Sequence, residues 1–372
     1  MKKMAVMTWY LYRNYGTVLQ AVALNRTIRN LGYDVSTIAY DPSKREKPFV
    51  NRVVGKIKRI MCESSFSSSE RDSKFDTFIK KNLTLTKEII SPIDFQNLNQ
   101  EFVAFVCGSD QIWGPEWLDT RFYLDFVDDS RRKIAYAPSF GCTEIVDSDK
   151  RQVISHCLKN IANISVREKS GAEIVKTLIG KKPCVALDPT LLLDERIWKE
   201  FVSFEKEMDE PYCLFYFLGN NQMNYNSALN IAKKQNLKVK LIPVFTKDAK
   251  KESCVNDCIG PSEFLSLIKH ASYICTDSFH GMVFSVIFHK QFVGFERFKN
   301  NDEKSQNTRI YNFLNQLDLN NILLRQTEKN SWENISNNFI DYEKVDKKLS
   351  ILKENSIVYL KDALNQATLL SD

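Results

Sequence analysis

The chain has no long apolar run. None of its hydrophobic segments approaches the roughly 18 residues that a membrane-crossing helix needs, so no span is predicted. Its opening, "MKKMAVMTWYLYRNYG", carries two lysines but no extended apolar region and no small-residue cleavage site. It reads as the first strand of a domain, and the cytoplasm is the expected compartment. A basic stripe interleaved with aromatics is also missing. The net charge of +6 is spread along 372 residues. That argues against a nucleic-acid surface and suits a protein that handles anionic ligands or sits near anionic lipid headgroups. There is no residue-level repeat. Nor is there a Gly-x-Gly-x-x-Gly turn after the first strand, where "NYG" stands instead, and this discounts a nicotinamide enzyme.

Cysteine is not scarce, but its pattern excludes much. The nine cysteines are odd in number, and most lie inside apolar strand-like runs such as "FVAFVCG", "CVALDP", "YCLFYF" and "YICTD". Buried free thiols in a reducing compartment are the expected reading. Cys254 and Cys258 form the one close pair. With no second pair or nearby histidine, a zinc site is not expected.

What is present is ordinary for a globular protein, with 43% hydrophobic and 26% charged residues, and the length suits two domains. Strand candidates at 4–9, 34–40, 102–108, 133–139, 164–168 and 184–189 accompany a helical pattern at 17–32 that stops at Gly32. The polar stretch 41–100 is expected to be helical on either side of the Ser-rich "ESSFSSSER". The second half repeats the theme, with strands at 212–219, 238–244, 273–277 and 292–296 and helices near 224–236 and 261–271. Short apolar runs alternating with amphipathic helices predict an α/β fold of two Rossmann-like parallel-sheet domains. The expected division is 1–195, 196–340 and a C-terminal helix at 341–372, with "DERIWKEFVSFEKEMDEP" as a charged connecting helix.

Ligands of such sheets sit outside the carboxyl ends of the strands, so polar residues there carry the functional signal. Five stretches stand out: Asn14–Gly16, Gly108–Trp113, Ser139–Gly141, Val166–Glu168 and Thr276–Gly281. In the last, Asp277 or Ser278 can cap a helix beginning near Gly281. Backbone N–H groups at that helix start can bind an anion, with His280 at the mouth. His280 is otherwise a packing histidine. Arg167 offers a fork of donors for phosphate or carboxylate, or else a surface ion pair with Glu168. Asp110 is either a turn cap or a ligand. Arg297 and Arg309 flank a polar loop, "KNNDEKSQNT", that could close over an anion.

Together these segments resemble the polysaccharide pyruvyl transferase family. The resemblance covers roughly residues 5–320 and rests on an ordered set: "NYGTVLQAVAL", "VCGSDQIWGP", "FYLDF" with "KIAYAPSFG", "ISVREKSG", "LDPTLLL", "GPSEFLSLIKHASYICTDSFHGMVFSVIFHKQF" and "TRIYNFLNQLDL". It implies the two-domain architecture of GT-B glycosyltransferases. It also implies transfer of a pyruvyl group from phosphoenolpyruvate to a sugar of a surface polysaccharide precursor, closing a cyclic ketal and releasing phosphate. Such a reaction needs a proton shuttle and anion stabilisation, not a metal or redox cofactor. By the resemblance His280 matches the catalytic histidine, and Arg167 matches the arginine of an S-x-R-E motif that meets the donor. Gly281 lies at the helix start that adds donors. Some members carry Arg two residues before the histidine; here that place is Ser278, and Arg309 is expected to supply the charge. On the acceptor side Asn14, Tyr15, Gly16, Gly108, Ser109, Asp110, Gln111 and Trp113 are expected contacts. Acceptors in this family are often lipid-linked, and the Lys-rich "KIKRI" at 56–60 could favour peripheral contact with the inner face of a membrane. Two rivals remain: a nucleotide-sugar glycosyltransferase of the same architecture, and a non-catalytic saccharide-binding member. The pyruvyl-transfer reading expects His280 and Arg167 to face one cleft.

Overall fold

The structure, a computed structural model, describes residues 1–44, 68–203, 210–255, 258–299, 302, 305–326 and 332–369. The "KIKRI" stretch lies outside them, as do most of the Ser-rich segment and Cys62.

Two parallel sheets are present, as the alternation predicts. The first contains β1 (Lys3–Met7), β2 (Asp34–Ala39), β3 (Leu85–Glu88), β4 (Ala104–Cys107), β5 (Lys133–Ala135), β6 (Asn163–Val166) and β7 (Cys184–Val185). Their order is β3-β2-β1-β4-β5-β6-β7. The second contains β8 (Tyr212–Tyr216), β9 (Lys238–Leu241), β10 (Tyr273–Thr276), β11 (Phe292–Phe295) and β12 (Leu323–Leu324), in the order β12-β11-β10-β8-β9. Every strand pairing is parallel. The central strands are buried on both faces, which is why β1, β4, β8, β10 and β11 read as nearly continuous apolar runs.

Four elements differ from the expectation, the first being the two-residue edge strand β12, which no predicted strand covers. β3 was not predicted: it is polar, largely exposed and at the sheet edge, so no apolar alternation marks it. The connecting helix shrinks to Glu195–Lys199, with 204–209 outside the described residues. The helix after β10 starts at Phe279, two residues before Gly281, with Ser278 as its N-cap.

The strand orders place the site. In the first sheet the chain moves from β1 to β2 on one side and then to β4 on the other. In the second it moves from β8 to β9 and then to β10. Each change of direction opens a crevice at the carboxyl ends of the central strands, and the two crevices face each other. Between the domains the apolar core is continuous. Tyr15 stacks on Phe264 at 4.4 Å and meets Tyr216 at 5.8 Å, while Trp198 packs edge-on against Phe284 at 4.9 Å. Such aromatic pairs each add about 0.5–1.5 kcal/mol beyond their area burial.

The last helix, Tyr342–Thr368, runs across both domains. Near its start the Tyr342 hydroxyl donates to the carbonyls of Ser285 and Lys290. Further on, Ser356 Oγ accepts from Leu187 N at 3.0 Å and the Tyr359 hydroxyl donates to the Ala135 carbonyl at 3.0 Å. Long as it is, neither this helix nor any other among the described residues is apolar enough to cross a membrane.

Candidate active site in the interdomain cleft

A cavity of about 420 Å³ occupies the space between the facing crevices. One wall comes from the loops after β1 and β4. Asn14 caps the helix Tyr15–Asn30, its side chain accepting from Thr17 N at 3.2 Å. Thr17 Oγ1 in turn donates to Asp110 Oδ2 at 2.7 Å. Asp110 has a left-handed backbone, φ 66°, and its other oxygen accepts from Gln111 N. Short polar side chains tolerate that conformation because they bond their own backbone. Trp9, Tyr12 and Trp117 complete this wall with Asn14, Asp110 and Gln111. Trp9 meets Tyr12 and Trp117 edge-on at 5.1 and 6.1 Å. Tyr12 and Trp117 are 49% and 45% exposed, so apolar ring surface is open to a ligand.

The opposite wall comes from the loops after β8, β10 and β11 and from the helix Asn307–Gln316. Ser278 lines the cavity, but its hydroxyl accepts from Gly281 N at 3.2 Å and so acts as the cap. Asp277 ties β10 to the loop after β8, accepting from Leu218 N at 2.6 Å and Gly219 N at 2.8 Å. Burial pushes its carboxyl up to about 6, against the opposing pull of Arg297 and of those two N–H donors. Arg297 and Arg309 both donate to Gln306 Oε1, at 3.0 and 2.9 Å, so one amide aims two guanidiniums at the cavity. Arg309 is pushed down to about 9 by burial and by repulsion from Arg167 and Arg297. Its Nε is buried without a hydrogen-bond partner. Like charges converging in a cavity repel one another, and an anion between them would relieve that repulsion.

His280 stands where the walls meet, 7% exposed. Its ring lies flat on Gly16: a Cβ there would fall 1.9 Å from Nδ1, so only glycine leaves room. The other ring nitrogen, Nε2, lies 3.6 Å from Asp188 Oδ2. Asp188 was not among the predicted site residues. It is buried, and Oδ1 accepts from Thr190 N and Oγ1 while Oδ2 accepts from Arg167 Nη1 at 2.7 Å. Burial alone would raise its carboxyl, but His280 and Arg167 outweigh burial and hold it well below the usual range.

The predicted residues therefore divide. Asn14, Asp110, Gln111, Ser278, His280 and Arg309 all line the one cavity. Arg167 does not sit on the surface, nor does it line that cavity. It is buried among Asp188, Glu168 at 3.7 Å and Asp110 at 3.9 Å, with Phe279 4.8 Å beneath it. Those carboxylates raise it against the pull of desolvation. It reaches His280 through Asp188 rather than across an open cleft. Tyr15 and Trp113 lie in the core. The Tyr15 hydroxyl donates to the Ile259 carbonyl, and Trp113 stacks on Tyr123 at 4.9 Å with its Nε1 donating to Phe122. Gly16, Gly108, Ser109 and Gly281 support the site from behind. Gly108 has φ 129°, and a Cβ there would fall 2.0 Å from the Tyr136 carbonyl oxygen. Ser109 Oγ donates to Ala137 O at 2.8 Å, and the N–H of Gly281 is taken by Ser278. The residues that sequence reasoning missed are Trp9, Tyr12, Trp117, Gln306 and Asp188. The aromatic density of "MTWYLYRNYG" and the strand-end carboxylate in "CVALDP" were the available signals.

Among the described residues five cysteines are buried, two are half-buried and Cys184 is exposed. Among the described residues no group of three His, Cys, Asp or Glu side chains is placed to hold a metal ion.

A family model described as polysaccharide pyruvyl transferase matches residues 14–300. No curated protein matches the chain. Similar solved structures include a glycotransferase of kitacinnamycin (10% identity, 99% of each chain, TM-score 0.49). An alpha-glucosyltransferase in complex with UDP is similar too (11% identity, 98% of this chain and 96% of that one, TM-score 0.49). So is a UDP-GlcNAc 2-epimerase from Methanocaldococcus jannaschii (12% identity, 94% of this chain and all of that one, TM-score 0.43).

Proposed function

The chain belongs to the polysaccharide pyruvyl transferase family, and from that premise we propose that it moves a pyruvyl group from phosphoenolpyruvate to a saccharide. The observation that carries this reading is the convergence of His280, Arg297 and Arg309 on one interdomain cavity whose other wall is aromatic. Phosphoenolpyruvate brings a phosphate and a carboxylate, and the Gln306-tied arginines suit such an anion. The saccharide lies against Trp9, Tyr12 and Trp117, with Asn14 and Gln111 as hydrogen-bond partners.

In the proposed reaction the methylene carbon of the donor takes a proton and one acceptor hydroxyl adds to the neighbouring carbon. The carbon–oxygen bond to phosphate then breaks, and the second hydroxyl adds to close the ketal. One hydroxyl proton ends on the new methyl group and the other on phosphate. His280 shuttles the proton, and the arginines stabilise the departing phosphate. No metal or redox cofactor takes part. The acceptor is a precursor of a surface or exopolysaccharide, presented in the cytoplasm or at the inner face of a membrane.

The test is phosphate release from phosphoenolpyruvate with a panel of free, nucleotide-linked and lipid-linked saccharides. Release that requires both an acceptor and His280 supports the reading. If phosphoenolpyruvate neither reacts nor raises the melting temperature, while a nucleotide-sugar does, the proposal fails.

A further inference from the structure

We propose that Asp188 is the positioning residue of the histidine: it fixes His280 with the Nε2 proton directed at its own Oδ2 and so presents Nδ1 to the substrate. This rests on the reading of His280 as the proton shuttle, but it stands on geometry of its own.

Asp188 follows β7 in the first domain, and His280 lies on the first turn of the helix Phe279–Ile287 in the second. The carboxylate is held at both oxygens: Thr190 fixes Oδ1, and Arg167 fixes Oδ2 at 2.7 Å. It has no freedom to turn away from the imidazole. Nε2 of His280 is buried and has no hydrogen-bond partner, with Oδ2 at 3.6 Å. That distance is within reach of a charge-assisted bond once a substrate tightens the cleft. An imidazole whose Nε2 carries its proton toward a carboxylate keeps its lone pair on Nδ1, the nitrogen that lies over Gly16. Arg167 belongs to the same device. Its single positive charge lies among Asp188, Glu168 and Asp110 and closest to Asp188, so that it favours the ionised form of the carboxylate facing the histidine. The arginine of the "ISVRE" strand end thus acts through Asp188, not by contact with the donor.

Two measurements test this, one of them independent of any substrate. Protein labelled with nitrogen-15 histidine has four imidazoles to resolve, and loss of one signal set in His280→Gln assigns the relevant ring. At alkaline pH, where imidazoles are neutral, a long-range proton–nitrogen spectrum should show His280 as the Nε2–H tautomer. That proton should be shifted downfield and exchange slowly in the wild type, and it should lose both properties in Asp188→Asn. An Nδ1–H tautomer in the wild type overturns the proposal whether or not the variant folds, as does an Nε2–H signal unchanged in a folded Asp188→Asn.

The kinetic arm uses the transfer reaction. Asp188→Asn should lower kcat by about 100-fold with the apparent KM for phosphoenolpyruvate within about threefold. In a His280→Gln background the same change should cost nothing further. Equal losses in both backgrounds would show a structural role and sink the proposal. Should Asp188→Asn not fold, Asp188→Glu keeps the charge, displaces it by one methylene and is expected to show the same kcat loss. A wild type that does not turn over phosphoenolpyruvate defeats the proposed function but leaves the spectroscopic arm standing.

Discussion

Across the cleft the loops after β1 and β4 present Trp9, Tyr12, Trp117, Asn14 and Gln111, whereas the loops after β8, β10 and β11 present His280, Asp277 and Arg297, with Arg309 alongside. Both walls stand at the same topological place, the reversal point of a parallel sheet. One wall is ring surface and neutral hydrogen-bonding groups around Asp110. The other holds two arginines and a histidine. The position is set by strand order, and the chemistry by a handful of loop residues. One geometry therefore carries an aromatic, neutral face on one side and a cationic face on the other.

The largest effect should come from removing the group where the walls meet. His280→Ala is expected to lower acceptor-dependent phosphate release by about 100- to 10,000-fold, with the melting temperature little changed; retained turnover would place the proton shuttle elsewhere. Next in size is the cationic wall. Arg309→Ala should raise the apparent KM for phosphoenolpyruvate by about 10- to 100-fold, the loss of a charge-assisted bond, and leave the KM for the acceptor alone. Arg297→Ala should behave alike, and an unchanged donor KM in both would end the assignment of this wall to the anion. Trp117→Ala sharpens the contrast from the other side: the acceptor KM should rise about 2- to 10-fold and the donor KM stay put, as separate titrations of the two substrates would show.

The smallest effect is one of pH. The Asp277 carboxyl is raised by burial from its ordinary 3.8 to about 6. In that window the folded protein holds a proton that the unfolded chain releases, so this group's contribution to stability is most favourable in acid and declines as pH rises through the folded value. The melting temperature of the wild type relative to Asp277→Asn should therefore fall between about pH 4 and pH 6 and be level above it. A difference that grows in that interval would mean that Arg297 and the Leu218 and Gly219 N–H groups outweigh desolvation.

Much of this was legible beforehand, and the exceptions have physical causes. Strands buried on both faces announce themselves as apolar runs, so β8, β10 and β11 were readable, while the polar edge strand β3 was not. His280 and Arg309 were readable because strand ends and polar loops in this fold point to a cleft. Trp113 misled because an aromatic beside a polar turn looks like a sugar platform until Tyr123, brought back by the chain, stacks on it. Asp188 was hidden by its own ambiguity. Its Oδ1 caps a turn, an ordinary task for an aspartate after a strand, and nothing local shows that Oδ2 meets a histidine from the other domain. Arg167 was read as a donor contact or a surface pair with Glu168, whereas it is buried, since three carboxylates from three segments are invisible until the sheet is folded.

The helix Tyr342–Thr368 gives the cleft a mechanical character. The chain passes between the domains once between Val185 and Tyr212 and again along this helix, which is fastened at Ser285 on one body and at Leu187 and Ala135 on the other. A single tether would let two bodies swivel freely. Two tethers, fastened on either side of the cleft, resist twist of one body against the other. Because Asp188 and His280 sit on opposite sides of the cleft, the register of the carboxylate against the imidazole is set by the same two tethers that join the bodies.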